Sequence, residues 1–178
     1  IFERVRERMQ EDGQSFQAAW EETAYHTAFT THTPVIQGNE SHPIAKLMYM
    51  GANHGLTKNQ LIKLGGSPFN MTVAALRLSR KANAVARLHG ETANKMWAHV
   101  KERAEIVPIT NAIHLPTWVD GQMLERAENN GDPWGRHQEN KRAMIDFIAQ
   151  RNGVHFREDR LLIGFSRRAV PYKRSDLI

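Results

Sequence analysis

The sequence predicts a helix-rich α/β chain. Apolar residues recur at three-and-four spacing through several long segments, as helices require. Between them lie a few short β-branched or apolar runs that read as strands. Proline and glycine punctuate the junctions. With 178 residues, the chain has roughly the length of one domain at about 150 residues per domain. Its 40% hydrophobic and 24% charged residues exclude a disordered polyelectrolyte or a collagen-like repeat. No apolar run approaches the roughly 20 residues of a membrane span, and the mean hydropathy is -0.56. No basic-then-apolar leader is visible at the start. The absence of cysteine removes disulfides, thiolate zinc sites and thiol nucleophiles together. The expectation is a soluble, cytoplasmic protein.

Each element follows from local pattern. Phe16, Ala19, Trp20, Thr23, Ala24 and Thr27 mark one buried face of a helix reaching to about residue 28, and Gly13 separates it from a charged helix before it. Ala28 to Pro34 is β-rich and stopped by proline, a short strand running into a loop. Gln37 to Pro43 is turn-like. Thr57-Lys58-Asn59-Gln60 forms a capping box ahead of Leu61, Ile62 and Leu64, with Gly65-Gly66 as the stop. The stripe Met71, Ala75, Leu78, Ala82 and Val85 predicts a helix capped by Asn70, packed on one side because Arg77, Arg80 and Lys81 lie off it. A short helix from Glu91 to Val100 and a strand from Glu105 to Thr110 follow. Asn129 to Pro133 is a turn cluster and a candidate boundary. Next is a helix from about Glu139 to Arg151, with Ala143, Met144, Phe147 and Ile148 inward and Gly153 ending it. Leu161 to Phe165 reads as a buried parallel strand. The chain opens without methionine inside a helical pattern and closes with Ser175 as an N-cap and Leu177-Ile178 as a first turn. That predicts a piece of a longer chain.

Chemistry concentrates near the end. The formal charge is +5, and most cations alternate with acids as on a solvated helix face. From Arg167 to Arg174 there are four cations and no acid. A strand leading into Ser166-Arg167-Arg168 and then Tyr172-Lys173-Arg174 before a helix is a geometry that holds anions, with a solvated basic loop as the plain alternative. Neither a Walker A motif nor G-x-G-x-x-G occurs. None of the nine histidines forms a compact ligand pair, so no metal site is expected. His32, where a strand opens into a loop, is a candidate contact or a hydrogen-bonded structural residue. Asn70 caps a helix whose free N–H groups can also face a ligand. Trp20, Trp97, Trp118 and Trp134 read as core anchors before sugar-stacking rings. No Ser-His-Asp order or carboxylate pair points to hydrolysis.

In order, the segments resemble the α-glucan (glycogen/starch/maltodextrin) phosphorylases of the bacterial and archaeal branch. The matching blocks are Phe29 to Val35; Phe69-Asn70-Met71-Thr72 through Asn83; Leu88-His89-Gly90-Glu91 with Met96-Trp97; Ile109 to His114 with Thr117-Trp118-Val119; and Ile163 to Arg168 with Tyr172-Lys173-Arg174. The resemblance implies a GT-B fold of two Rossmann-like domains. Residues 1–155 would end the N-terminal domain, and residues 156–178 would begin the C-terminal one. It implies phosphorolysis of terminal α-1,4-linked glucosyl units by inorganic phosphate, giving α-glucose 1-phosphate, with pyridoxal 5'-phosphate as cofactor. The cofactor's lysine would lie outside the chain, so the piece alone is expected to be inactive. By position, Arg168 and Lys173 match the catalytic cations that hold the substrate phosphate, and Arg167 a cation near the cofactor phosphate. His32, Asn70 and Tyr172 match contacts to the sugar. The implied partners are α-1,4-glucan and phosphate, with neither nucleic acid nor membrane, and a homo-oligomer of the full protein stays open.

The sequence also departs from the family pattern. Ala84 and Ala112 replace glycines after asparagine, and strain is expected if those turns need a positive φ. Gln37-Gly38-Asn39-Glu40 differs from the family loop, and Pro171 precedes Tyr172. Two alternatives stand beside this: a synthase-type GT-B glycosyltransferase using a nucleotide sugar, which would share the cationic site, and a non-catalytic glucan-binding protein, which Ala84 and Ala112 favour.

Overall fold

Gly13, at φ +65°, breaks the helical run at its start, giving α1 (Phe2–Gln10) and α2 (Phe16–Tyr25). Ser15 caps α2 by accepting from the Ala18 N–H. Residues 1–177 are described in the computed structural model. They fall into two compact units, one spanning Ile1–Ala112 and one beginning at Ile113. Among the described residues, no helix is long and apolar enough to cross a membrane.

The first unit is α/β. Strands β1 (Ala28–Thr31), β4 (Lys81–Ala84) and β5 (Ile106–Pro108) form a parallel sheet in the order β1-β4-β5. The register pairs Thr31 with Ala84, and Ala84 with Pro108, so all three strands end level at one edge. Between β1 and β4 come β2 (Ser41–His42), α3 (Ile44–Tyr49), α4 (Lys58–Gly65), β3 (Phe69–Asn70) and α5 (Met71–Arg77). The strands β2 and β3 pair antiparallel as a small second ladder. Helix α6 (Arg87–Met96) connects β4 to β5. The capping box predicted for α4 forms in full: Thr57 accepts from the Gln60 N–H, and Gln60 from the Thr57 N–H. Gly66, at φ +83°, ends that helix.

Two apolar clusters build this unit. One joins Trp20, Leu61, Leu64, Phe69, Ala74 and Leu78. The other lies against the sheet and includes Val73, Leu76, Ala84, Trp97 and Ile106. Helix α5 stands between them, with Ala74 and Leu78 turned to the first and Val73 and Leu76 to the second. The one-sided, long helix expected from Met71 to Val85 is therefore corrected on two counts. It is buried on opposite faces, and it stops at Arg77. Beyond it the chain is a strand that buries Ala82 and Ala84 at period two. Met71, placed inward by the stripe, is exposed. Helix α6 also starts earlier than expected, at Arg87, and β5 is shorter than the run from Glu105 to Thr110.

The second unit is helical: α7 (Leu115–Trp118), α8 (Gly121–Glu128) and α9 (Pro133–Asn152), followed by 3₁₀ turns at Pro171–Lys173 and Ser175–Leu177. Asp132 caps α9 through the Trp134 and Gly135 N–H groups, so the helix begins at the turn cluster rather than near Glu139. Gly153 ends it as predicted, in the left-handed conformation at φ +69°. The turn from Asn129 to Pro133 joins α8 to α9 inside this unit. On α9 the buried residue is Ile145, whereas Met144 and Phe147 are exposed. Leu161 to Phe165 forms no strand, and Leu161 is 85% exposed. A strand satisfies its backbone only against another strand, and among the described residues this unit holds none. Ser175 opens a 3₁₀ turn; Ile178 lies outside the described residues.

Candidate active site

In the first unit the sheet's carboxyl edge is the place to look, because ligands of parallel sheets bind beyond strand ends. The residues leaving the three strands are His32, Val85 and Ile109. Hydrogen bonds lock this edge: Thr30 Oγ1 donates to Asn83 Oδ1 (2.7 Å), the Ile109 N–H to the Ala84 carbonyl (2.8 Å), and the Asn111 N–H to the Val85 carbonyl (3.0 Å). His32 is exposed at the end of β1. The loop after it is held by Asn39, whose Nδ2 donates to the Val35 carbonyl (2.7 Å) and whose Oδ1 accepts from Thr72 Oγ1 (2.6 Å). Asn70 caps α5 by accepting from the Val73 N–H (2.9 Å), and its Nδ2 donates to Ser41 Oγ (3.0 Å). A hydrogen-bonded path thus runs from the first turn of α5, through Asn39, to the loop that follows His32.

Two contributors here went unassigned in the sequence. Asn39 sits in the divergent Gln37–Glu40 stretch, and its role depends on a side chain reaching back to Val35. His89 belonged to a matching block without a role. It is 8% exposed on α6 and accepts from the Val85 N–H at Nδ1 (3.2 Å). Burial, and then the nearby charge of His32, lower its pKa below the ordinary histidine value.

In the second unit two of the tail cations meet one tyrosine. Arg168 Nη2 donates to Tyr172 Oη (3.1 Å), and Lys173 Nζ stands 5.0 Å from the Tyr172 ring centroid. The turn Pro171–Lys173, closed by Arg174 at φ +52°, sets Tyr172 and Lys173 side by side. Arg167 is exposed next to Arg168, and Arg174 pairs with Asp176 at 3.8 Å. The structure therefore brings together Arg168, Tyr172 and Lys173, but with 3₁₀ turns in place of the strand and helix expected to frame them. His32 and Asn70 belong to the first unit and the four tail residues to the second. Among the described residues, no group of three or more His, Asp or Glu side chains is placed to hold a metal ion.

The same chain aligns with proteins of known name. It is 32% identical to the maltodextrin phosphorylase of Thermococcus litoralis, over 94% of this chain and 26% of that protein. The glycogen phosphorylase of Aquifex aeolicus is 27% identical, over 93% of this chain and 32% of that protein. The chain is a homologue of the maltodextrin and glycogen phosphorylases. An uncharacterized protein of Methanocaldococcus jannaschii is 41% identical, over 89% of this chain and 31% of its own length. The chain spans about a third or less of the curated relatives it matches. No protein-family model matches it.

Against that relationship the two alanine departures lose their structural cost. Neither Ala84 nor Ala112 has a positive φ; among the described residues the non-glycine ones that do are His54, Glu102, Asn130 and Arg174. Ala84 lies in the central strand, fully buried, where its methyl packs in the sheet-side cluster. The tryptophans divide. Trp20 and Trp97 are core anchors, as expected, while Trp118 is 78% and Trp134 64% exposed. Trp134 stacks on His137, with ring centroids 4.8 Å apart.

Proposed function

We propose that this chain is part of an α-1,4-glucan phosphorylase that transfers terminal glucosyl units to inorganic phosphate, releasing α-glucose 1-phosphate. The observation that carries the reading is the alignment with maltodextrin and glycogen phosphorylases across nearly the whole chain. The clustering of Arg168, Tyr172 and Lys173 supports it. An arginine offers a planar fork for phosphate and a lysine a compact charge. Placing both where negative charge accumulates on phosphate is what phosphorolysis needs. On this reading Arg168 and Lys173 hold the substrate phosphate, and His32, Asn70 and Tyr172 contact the sugar. Residues 1–155 would complete one GT-B domain and 156–178 open the next.

Pyridoxal 5'-phosphate belongs to the same proposal. Arg167, solvent-facing beside Arg168, has the charge and reach to meet a phosphate monoester. When bound, that cofactor supplies a phosphate group for proton exchange with the substrate phosphate. Arg167 would steady the anionic group, and Arg168 and Lys173 would limit the repulsion between two phosphates held close together.

The test is direct. The intact protein, incubated with maltodextrin and inorganic phosphate, should release glucose 1-phosphate, and R168A or K173A should each lower the rate by about 100-fold or more. Glucan synthesis from a nucleotide sugar alone, without phosphorolysis, overturns the reading.

A further inference from the structure

The first unit contains a buried polar group that neither the core nor the assigned site residues explain. His89 Nδ1 accepts the Val85 N–H, which fixes that nitrogen as the unprotonated one and leaves the proton on Nε2. Nε2 is itself buried and has no hydrogen-bond partner among the described residues. A buried donor without an acceptor is costly to keep.

The surroundings show how firmly the ring is held. Helix α6 is seated on β5, where a Cβ on Gly90 would meet Pro108 Cβ at 2.9 Å. One turn on, Asn94 Nδ2 donates to the Ile106 carbonyl (2.8 Å). The helix carrying His89 therefore has little freedom to turn the ring elsewhere. The sheet register indicates what lies beside it. Thr31 pairs with Ala84, so His32 and Val85 leave adjacent strands at the same level, about 4.8 Å apart. Bonded to the Val85 N–H, the His89 ring stands next to His32. The depressed basicity of His89, in which the charge of His32 takes part, agrees with that proximity.

We propose that His89 is a positioning residue for His32. Locked as the neutral Nε2–H tautomer by the Val85 amide, it offers an Nε2–H that has no partner in this structure; rotation of the exposed His32 side chain brings an imidazole nitrogen to accept it, which fixes that histidine for a glucan chain at the carboxyl edge of the sheet. One nitrogen holds the β4–α6 turn and the other orients the residue at the end of β1, which couples two neighbouring strand ends through one side chain. The glucan ligand in this inference rests on the phosphorylase reading above; the His89–His32 bond does not.

The experiment separates the two nitrogens. In the intact protein, H89N keeps an acceptor for the Val85 amide but lacks the Nε2–H. It should leave the Val85 amide as protected from exchange as in the wild type, and raise the KM for maltodextrin about tenfold with little change in kcat. H89A should lose both the protection and the affinity. Nitrogen NMR of the histidine-labelled intact protein should show His89 as the Nε2–H tautomer, with its Nε2–H exchanging faster in H32A. An Nδ1–H tautomer, an exchange rate insensitive to H32A, or an H89N variant with unchanged KM overturns the proposal. If the intact protein performs no phosphorolysis, the functional reading fails on its own, and the NMR coupling between His89 and His32 still decides this one.

Discussion

Replacing Asn70 by alanine tests whether one residue serves both the fold and the proposed site. Its Oδ1 caps α5 through the Val73 N–H, and its Nδ2 donates to Ser41 Oγ across the β2–β3 ladder. Loss of the cap costs about 1 kcal/mol, and loss of a half-exposed side-chain hydrogen bond about 0.5 kcal/mol. The combined loss of about 1.5 kcal/mol corresponds to a melting temperature lower by about 6 °C in a unit running from Ile1 to Ala112. Val73 amide exchange is the local assay: protection should fall about tenfold in N70A. N70D keeps the capping oxygen and places a negative charge at a helix start, which is favourable. Its stability should stay within about 0.5 kcal/mol of wild type. It lacks the amide NH₂, whose second N–H is suited to a sugar hydroxyl. Calorimetric titration of the intact protein with maltotriose should therefore show weaker binding by N70D. Wild-type protection of Val73 in N70A refutes the capping argument. Unchanged maltotriose affinity in N70D removes Asn70 from the sugar site and leaves it a cap alone.

Other perturbations read different parts of the molecule. Gly90→Ala drives a methyl into Pro108 and should destabilise the first unit by about 1–3 kcal/mol, seen as a lower denaturation midpoint. Asp120 is held by Arg136 through a bidentate pair, with both contacts at 2.9 Å, and accepts from the Met123 N–H; these bonds depress its pKa well below the usual carboxylate range. A depressed carboxylate contributes stability that is complete above its unfolded pKa and disappears as pH falls through the folded one. The second unit should accordingly weaken below about pH 4, and D120N should flatten that limb of the acid titration followed by Trp118 and Trp134 fluorescence. Burial holds the pKa of His89 below the ordinary histidine value, so as pH falls the unfolded chain takes up that proton first. The melting temperature of the first unit should be level above about pH 6.5 and drop below it, less steeply in H89N.

The parts of the fold legible in the sequence are those fixed by short-range chemistry. The capping box at Thr57–Gln60, the Asn70 cap and the left-handed Gly153 each depend on residues within one turn of each other. The segment from Met71 to Ala84 shows where that logic stops. A helical stripe through Leu78 continues in register into Ala82, but the chain changes period after Arg77. The reason is distant: the Arg80 N–H donates to the Thr27 carbonyl (3.0 Å), and the next four residues find two parallel partners, β1 and β5. Burial on both sides of α5 likewise comes from segments far apart in sequence. Leu161 to Phe165 makes the converse point: an apolar run has strand character, but a strand also needs a neighbour.

The candidate site divides along the same line. Arg167, Arg168 and Lys173 stand out as uncompensated charge, and the convergence of Arg168 and Lys173 on Tyr172 needs only a turn of a few residues. The sheet edge is different. His32 could be singled out because a strand ends beside it, but His89 carries no signal of its own; in sequence it is a polar residue just ahead of the helix expected from Glu91, and only the structure places it on α6. Its role appears only when three separate facts meet: the register that levels Thr31 with Ala84, the Val85 amide that claims one ring nitrogen, and the burial that leaves the other unsatisfied. Each fact alone has an ordinary structural explanation. Together they constrain the tautomer, the strand ends beside the ring and the need of the remaining N–H for an acceptor. That is why a histidine without a motif makes a sharper target than the exposed cations, whose charges a solvated basic loop would also display.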